Sequence, residues 1–275
     1  MISIGNLQIN KLCLGDVEVT KAYLGDVQVY GLKPKPEGKY MTITVDDAAG
    51  ETTISPTVTG SITPNLQYRI NNGDWTDFIV GTTADIKLVA GDFVQWKGNN
   101  PEGISIELNN YHLNFSISGN PVHLSGNVMS LIDGVGDSTV IPSSYCFSNL
   151  FSKSNVKTVS PGFLPATKLT SDCYRSMFEG CTELENAPEL PATTLAGWCY
   201  SYMFSDCTSL VTAPDLPSTN LYSHCYFEMF NGCTSLVTAP NLPATNLYSH
   251  CYYNMFKDCT SLTTAPALPA TTLAE

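Results

Sequence analysis

One phrase recurs at a fixed spacing through the second half of the chain, and this repeat constrains the possible folds more than any other feature. It reads C-Y-x-x-M-F-x-x-C-T-x-L-x-x-A-P-x-L-P-[AS]-T-x-L, and its two cysteines return every 26 residues. The first column holds Cys173, Cys199, Cys225 and Cys251, and the second holds Cys181, Cys207, Cys233 and Cys259. A period of this length is typical of stacked repeat architectures. Such architectures offer surfaces of repeated positions, which suit binding better than catalysis.

A weaker copy precedes the four clear ones. Its matches to the start of the phrase are Cys146, Phe147, Leu150 and Phe151, and Ser154 stands where the second cysteine should be. A degenerate first copy is typical of a capping unit, whose outer face meets water or another domain. The last copy stops at Glu275, one residue short of the full 26-residue unit. Either this copy is open to a partner or the natural protein continues.

Each copy is predicted to form one coil of a stack. The C-Y-x-x-M-F step places apolar residues at i, i+1, i+4 and i+5, which predicts one face of a short helix. The Leu-x-x-Ala-Pro-x-Leu leg is predicted to be extended, with little β-ladder because its proline lacks an N–H donor. Gly180, Asp206, Gly232 and Asp258 are expected to turn the chain between these parts. The recurring leucine, phenylalanine and cysteine side chains should fuse into one core along the stack.

The cysteine columns favour a buried ladder of free thiols. A cysteine 26 residues from its equivalent lies beside it on the next coil, and a free cysteine packs as a small hydrophobe. Disulfides within a coil, such as Cys173–Cys181, are the minority alternative. Zinc is disfavoured because no C-x-x-C or Cys/His pair has ligand spacing, so no metal or other cofactor is expected.

The first half of the chain has a β-like pattern throughout. A ten-residue repeat over 6–31 alternates apolar and polar residues, so residues 1–31 are predicted to be a β-meander too small to fold alone. We expect this part to be a docking segment for another protein or for a second copy of the chain, giving a homo-oligomer. Residues 32–38 are a predicted linker, 39–108 an Ig-like β-sandwich, and 109–145 a loop-rich junction that caps the repeats. Trp75 and Trp96 are interpreted as packing residues rather than sugar-stacking platforms.

The charge balance excludes some partners. The chain has 13 Lys and Arg against 25 Asp and Glu, a net charge of −12. Both halves are acidic, so neither nucleic acid nor an anionic membrane surface is an expected partner. No apolar run approaches the ~18 residues of a membrane span, and Met1 begins a segment without the features of a secretion signal. Membrane insertion is therefore not expected.

No catalytic motif emerges from the sequence. Serine, histidine and acidic residues do not form a triad pattern, and neither H-E-x-x-H nor a phosphate-binding loop occurs. His224 and His250 occupy one repeat column, whereas a catalytic residue is expected at a singular site. The chain is therefore predicted not to be an enzyme.

The informative positions are those at which the copies differ. Inward positions are fixed by packing, so varying positions are expected on the outside. Exposed aromatic residues there favour recognition of a glycan or a protein surface over neutral drift on a solvated face. The predicted ligand-binding residues are Trp198, Tyr202, Tyr222, His224, Phe227, Tyr248, His250 and Tyr253. Tyr222, His224, Tyr248 and His250 are expected to form two rows at coil spacing.

The repeats resemble bacterial leucine-rich repeats of the BspA type and the related 26-residue repeats of bacterial surface proteins. The likeness rests on the aromatic-x-x-Cys-x-x-Leu step, as in Phe204 to Leu210, and on the period; it covers residues 146–275. It implies a leucine-rich-repeat-like solenoid with short helices, a binding role and no catalytic residues. The segment 1–31 contains the motif Tyr-Leu-Gly-Asp-Val-x-Val-Tyr and resembles the leading segment of phage tail and fibre proteins.

Together these features predict a non-catalytic, phage tail or virion-associated protein. Residues 1–31 would join other tail proteins, and the repeats would recognise a glycan or protein on the host surface. The alternative is a bacterial cell-surface adhesin whose export signal is not part of this sequence. A glycan-active enzyme is the third hypothesis, and no motif supports it.

Overall fold

In a computed structural model, the structure describes residues 35–47, 50–60, 62–105 and 112–273, together with the backbone of six short strands between residues 2 and 31. Those six strands are β1 (Ile2–Ile4), β2 (Leu7–Ile9), β3 (Cys13–Leu14), β4 (Val17–Glu18), β5 (Lys21–Leu24) and β6 (Val27–Gly31). Their recorded pairings are antiparallel and join β1 to β2, β3 to β4 and β5 to β6. The docking role predicted for residues 1–31 depends on side chains outside the described residues. Residues 32–34 of the predicted linker also lie outside them.

Two sheets follow. Their strands are β7 (Met41–Val45), β8 (Glu51–Val58), β9 (Leu66–Ile70), β10 (Thr76–Phe78), β11 (Ile86–Val89), β12 (Phe93–Gly98), β13 (Leu113–Gly119), β14 (Val122–Ser125) and β15 (Val156–Val159). One sheet has the order β10-β9-β12-β7-β14-β15, and the other has the order β11-β8-β13. All these pairings are antiparallel except β14–β15, which is parallel. This part of the structure fits the predicted β-sandwich in part.

Alternation along the strands builds the sandwich core. In β11, Ile86 and Leu88 are buried while Lys87 and Val89 are exposed. Trp96 of β12 is fully buried, and its ring lies 4.8 Å from the ring of Phe115 on β13. That contact joins one sheet to the other, which confirms the packing role predicted for Trp96.

The sheets extend beyond residue 108 and reach the first repeat copy. The segment 109–145 supplies β13 and β14, and it also contains α1 (Ser130–Asp133), the one α-helix among the described residues. The first repeat copy supplies β15, which forms the edge of the six-stranded sheet. The sandwich and the repeats therefore share one hydrophobic core.

The predicted leucine-rich-repeat-like solenoid with short helices is wrong. The structure is β-rich with two sheets, and the C-Y-x-x-M-F steps form consecutive turns instead of helices. These turn segments span 145–153, 172–180, 198–206, 224–232 and 250–258, and the backbone is left-handed at every fourth residue within them. In the second segment these residues are Asp172, Ser176 and Gly180, with φ of 55°, 54° and 70°. A left-handed residue every four positions prevents the continuous right-handed geometry of an α-helix.

Hydrogen bonding explains why the turns are favoured. In the second turn segment, the N–H of Tyr174 donates to the carbonyl of Cys199 in the next copy, at 3.1 Å. The N–H of Met177 instead donates to the carbonyl of Tyr174 three residues earlier, at 3.2 Å. Donors alternate in this way along each segment that a further copy follows. An α-helix would use every donor within its own segment, whereas this pattern reserves half of them for the neighbouring copy.

Single parallel bridges link the extended legs. Thr158 of β15 pairs with Asn186, which pairs with Thr212, and Thr212 pairs with Thr238. A second column ends in the short strands β16 (Asn246–Leu247) and β17 (Thr272–Leu273), which pair in parallel. Asn186, Thr212 and Thr238 each stand just before an Ala-Pro step. The predicted shortness of the ladder at these prolines is therefore confirmed.

Stacked rings and thiols fill the interior of the repeats. Phe178 and Phe204 stack at 5.9 Å, and Phe204 and Phe230 stack at 5.6 Å. The prediction of inward-facing free thiols is confirmed for the nine cysteines that the structure describes, all of them buried. The thiol of Cys207 donates to the carbonyl of Phe178 at 3.1 Å, and Cys181, Cys233 and Cys259 make the equivalent bond.

In the first copy, Ser154 takes the place of the second cysteine. Its hydroxyl donates to the carbonyl of Phe115 on β13 at 2.6 Å, and it accepts from the N–H of Ile117 at 3.2 Å. The Ser154 hydroxyl therefore bonds to a β-strand, in the same way that the thiols of the second cysteine column bond to the preceding copy. β13 covers the outer face of the first copy, as expected for a capping position.

Candidate binding surface

Left-handed backbone places the variable aromatic residues at the repeat surface. Trp198, His224 and His250 open three successive turn segments, with φ of 59°, 58° and 53°. Tyr202 has a φ of 56° four residues after Trp198. Bulky residues rarely adopt this conformation, which costs about 1–2 kcal/mol per residue. Because the same conformation recurs in all five turn segments, it belongs to the repeat rather than to one special site.

Seven side chains from neighbouring copies form one connected surface, which we call the aromatic face. Its members are Arg175, Trp198, Tyr202, His224, Phe227, His250 and Tyr253. The rings of Trp198 and His224 stack at 3.8 Å, and those of His224 and His250 stack at 4.8 Å. Phe227 and Tyr253 form a parallel row at 5.0 Å. Tyr202 contacts Phe227 edge-on at 5.3 Å, so the members are held in a single network.

An ion pair anchors one end of the aromatic face. Nη1 of Arg175 lies 3.1 Å from Oδ1 of Asp172, and the guanidinium carbon lies 4.6 Å above the ring of Trp198. A cation over an indole face is favourable by about 0.5–2 kcal/mol. Burial raises the pKa of the Asp172 carboxyl, and the adjacent Arg175 opposes this shift. The arginine therefore pairs with a buried acid and also covers one face of Trp198.

The two histidines are oriented by their preceding serines. Ser223 Oγ lies 2.6 Å from Nδ1 of His224, and Ser249 Oγ lies 2.7 Å from Nδ1 of His250. Burial lowers the pKa of His224, and the neighbouring His250 and Arg175 lower it further. These neighbours favour the neutral form of His224, whose ring stacks between Trp198 and His250.

Tyr222 and Tyr248 form a separate pair. Their rings stack at 6.0 Å, and the residues are 48% and 51% exposed. They line a cavity of about 300 Å³, whose wall includes the amide residues Asn220 and Asn246. The expected two rows at repeat spacing are present, one of tyrosines and one of histidines. The tyrosine row faces this polar cavity, and the histidine row belongs to the aromatic face.

The structure thus divides the eight predicted ligand-binding residues. Six of them belong to the aromatic face, and Tyr222 and Tyr248 form the pair. Sequence reasoning did not include Arg175 among the binding residues. The available signal was its column, because Arg175 occupies the repeat position of Phe227 and Tyr253. Ser201 in the same column is buried and donates to the carbonyl of His224 at 2.7 Å, so this column is not uniformly exposed.

The described residues offer few groups for chemistry. Burial raises the pKa of Cys146 and Cys181 to about 12, so these thiols are poor nucleophiles at neutral pH. The described part of the chain contains no group of three His, Cys, Asp or Glu residues that could hold a metal ion. No helix among the described residues has the length and the apolar character needed to cross a bilayer.

Comparison with models of known protein families, with characterised proteins and with solved structures finds no match to this chain.

Proposed function

We propose that this chain is a non-catalytic recognition protein that binds a cell-surface glycan or protein through the aromatic face. One observation carries the proposal. Six residues chosen because they vary between copies lie together in one network of ring contacts, with His250 and Tyr253 exposed. Isolated exposed aromatics are ordinary on protein surfaces, whereas a contiguous patch indicates an interaction site.

The composition of the aromatic face suits tight binding. Tryptophan, tyrosine and arginine are the residues most enriched at the energetic centres of protein interfaces. The rings also pack against one another before any ligand arrives. Trp198, for example, lies between the Arg175 guanidinium and the His224 ring. Because these side chains have little freedom left to lose, binding carries a small entropic cost.

The backbone supports this preorganisation. Trp198 donates its N–H to the carbonyl of Ser223, and His224 donates its N–H to the carbonyl of Ser249, at 3.2 and 3.0 Å. These two rings are therefore carried by residues that are bonded to the next copy. The spacing between rings along the face follows the repeat, which favours a ligand extended along the stack of copies.

The proposed setting is a phage tail or virion, with a bacterial cell surface as the alternative. In either setting residues 1–31 would attach the chain to other tail proteins or to a second copy, leaving the aromatic face free. Capsid and tail genes beside this gene would support the first setting. An outer-membrane export signal encoded upstream would support the second.

Binding to isolated bacterial envelopes and to an array of surface glycans tests the proposed function. The test variant is the double change His250→Ala and Tyr253→Ala, which removes two exposed rings from the aromatic face. The matched control is Val211→Ala with Val237→Ala, at residues that are 48% and 52% exposed on the same repeats. We expect at least a tenfold loss of affinity for the test variant and none for the control, with unchanged thermal unfolding of both. Equal binding by both variants would contradict the assignment of the aromatic face.

A second arm examines the tyrosine pair. Changing Tyr222 and Tyr248 to alanine removes the stacked rings beside the polar cavity without altering the aromatic face. A loss of binding confined to this variant would move the site from the aromatic face to the cavity. Deletion of residues 1–31 should abolish incorporation into the particle or oligomer while leaving the repeats folded and able to bind.

A further inference from the structure

The polar cavity beside the tyrosine pair is separate from the aromatic face. Three successive copies line it, at 193–195, at 220–222 and at Asn246 and Tyr248, and none of these residues belongs to the aromatic face. Its volume of about 300 Å³ falls within the range of small-molecule sites, about 300–1,000 Å³. We call this cavity the tyrosine pocket.

The backbone that lines the tyrosine pocket is paired on both sides. Thr194 is bridged to Lys168 of the preceding copy, and Asn246 pairs with Thr272 of the following copy. Within the pocket, Asn220 and Asn246 are bridged to each other. The pocket therefore lies inside the row of copies, and its side chains are carried by a backbone that is fixed by its neighbours.

One face of the Tyr222 ring is available to a ligand. The other face stacks on Tyr248 at 6.0 Å, with an angle of 13° between the ring planes, and Tyr222 contacts no further ring among the described residues. In the preceding copy the equivalent repeat position holds Ala196, which is too small to continue the column. Thr193 and Thr194 of that copy line the pocket instead. The pocket thus opens where one copy departs from the tyrosine column.

The polar side chains of the tyrosine pocket are also available. Four of them are exposed and make no side-chain hydrogen bond to any residue that the structure describes: Thr193, Thr194, Asn220 and Asn246. Each amide offers two donors and an acceptor, and each hydroxyl both donates and accepts. The two leucines of the lining, Leu195 and Leu221, are buried. A ligand therefore meets tyrosine rings, amides and hydroxyls.

The lining restricts the chemistry of the ligand. No charged side chain lines the tyrosine pocket, so a phosphate, a carboxylate or an ammonium group would lose water without gaining a counter-charge. A wholly apolar ligand would leave the amides and hydroxyls without partners, which is also unfavourable. The ligand that satisfies both conditions is uncharged, with one apolar face and hydroxyls around its edge.

We propose that the tyrosine pocket binds a neutral pyranose unit of a glycan. One face of a pyranose ring presents C–H groups, and these pack on the electron-rich face of an aromatic ring. The sugar stacks on the available face of Tyr222, and its hydroxyls exchange hydrogen bonds with the amides and hydroxyls of the pocket. This site is independent of the aromatic face, so the repeats carry two binding sites of different chemistry.

Titration calorimetry of the full chain with linear, uncharged tetrasaccharides of glucose, galactose, mannose and N-acetylglucosamine tests the proposal. We expect saturable binding of at least one of them, and none of the galacturonic acid tetramer, which has the ring of galactose but carries carboxylates. Tyr222→Ala should weaken binding at least tenfold, whereas Tyr222→Phe keeps the ring face and should change it less than threefold. The control Val211→Ala should have no effect. Binding of none of the uncharged tetrasaccharides, or equal binding of the acidic one, would refute the proposal.

Ala196→Tyr is the sharper test, because it fills the pocket without removing a side chain. The tyrosines at 222 and 248 show that the repeat accommodates this residue at the equivalent position. The added ring would stack on Tyr222 in the place of the sugar, so binding should fall at least tenfold with unchanged thermal unfolding. Unchanged binding would overturn the proposal. If the double change His250→Ala and Tyr253→Ala abolishes tetrasaccharide binding instead, the sugar lies on the aromatic face; that result refutes the separate site and supports the proposed function.

Discussion

Truncation of Phe204 should destabilise the protein far more than truncation of Phe256, although the two occupy the same repeat position. Phe204 is fully buried and stacks on both Phe178 and Phe230, at 5.9 and 5.6 Å. Phe256 is partly buried and stacks on Phe230 alone, at 5.8 Å. The two residues thus differ in burial and in the number of ring neighbours.

The expected magnitudes follow from those two differences. Truncation of a buried phenylalanine to alanine costs about 3–5 kcal/mol, and each ring pair adds about 0.5–1.5 kcal/mol beyond area burial. With two ring partners and no exposure, Phe204→Ala should lower the free energy of unfolding by about 4–5 kcal/mol. Phe256→Ala loses one ring pair and less buried area, so we expect about 1.5–2.5 kcal/mol.

Urea denaturation followed by far-ultraviolet circular dichroism measures both values, with the slope m held as a check on the extent of unfolding. Val211→Ala in the same copy as Phe204 is the matched control, because Val211 is 48% exposed. It should change the free energy of unfolding by no more than about 0.5 kcal/mol. If the two alanine substitutions lower the free energy of unfolding by amounts that agree within about 0.5 kcal/mol, the reasoning is refuted, because one ring pair alone contributes at least that much.

Three further outcomes are expected. Burial raises the pKa values of the thiols above those of the unfolded chain, so unfolding releases protons at alkaline pH. The free energy of unfolding, measured by urea titration at pH 7 to 10.5, should therefore be constant below about pH 8.5. Above that pH it should fall by about 1.4 kcal/mol per pH unit for each thiol involved. Alkylation by iodoacetamide, read by mass spectrometry, should modify Cys259, whose pKa is raised to about 11 and which is 8% exposed, before the fully buried Cys207; simultaneous labelling would contradict the burial gradient along the column. Arg175→Ala should lower the free energy of unfolding by about 2–3 kcal/mol, because it leaves the Asp172 carboxylate without its cation, and it should shift the fluorescence emission of Trp198 to longer wavelength. The added change Asp172→Asn should restore part of the lost stability; no restoration would mean that the loss does not come from the ion pair.

The sequence predicted the repeat and its interior well, because packing constrains those positions identically in every copy. Cysteine, leucine and phenylalanine recur where neighbouring copies touch, so their burial followed from the period alone. The proline in each extended leg correctly indicated a ladder of single bridges. Trp96 was also correctly assigned to packing.

The helix prediction was wrong because apolar spacing does not report backbone handedness. C-Y-x-x-M-F has the periodicity of a helical face, and stacked turns also bury its cysteine, aromatic and methionine side chains. The visible clue was weak: glycine or aspartate recurs seven residues after Cys173 and its equivalents, and these residues tolerate φ > 0. The other left-handed positions hold residues as unlike as Trp198 and Glu228, so residue type alone does not predict them.

The candidate site was predictable as a set of residues and not as an arrangement. Variation between copies pointed to Trp198, His224 and Tyr253. Tyr222 lies two residues before the turn segment that begins at His224, and its ring lines the polar cavity instead of the aromatic face. The ion pair of Arg175 with Asp172 joins residues three positions apart in one turn segment, so only the position of Arg175 over the Trp198 ring of the next copy was hidden from the sequence.

Alternation of backbone donors between a copy and its neighbour also determines how the repeats would respond to mechanical load. Force applied between the sandwich and the last copy acts across rows of hydrogen bonds, such as the five that join 198–206 to 223–231. The bonds of one row would share the load and fail together, so rupture should proceed one copy at a time from the last. Each rupture would release 26 residues, or roughly 90 Å of extended chain. A single-molecule extension trace should therefore show evenly spaced steps, and the repeats would act as a tether that lengthens in increments while the sandwich stays folded.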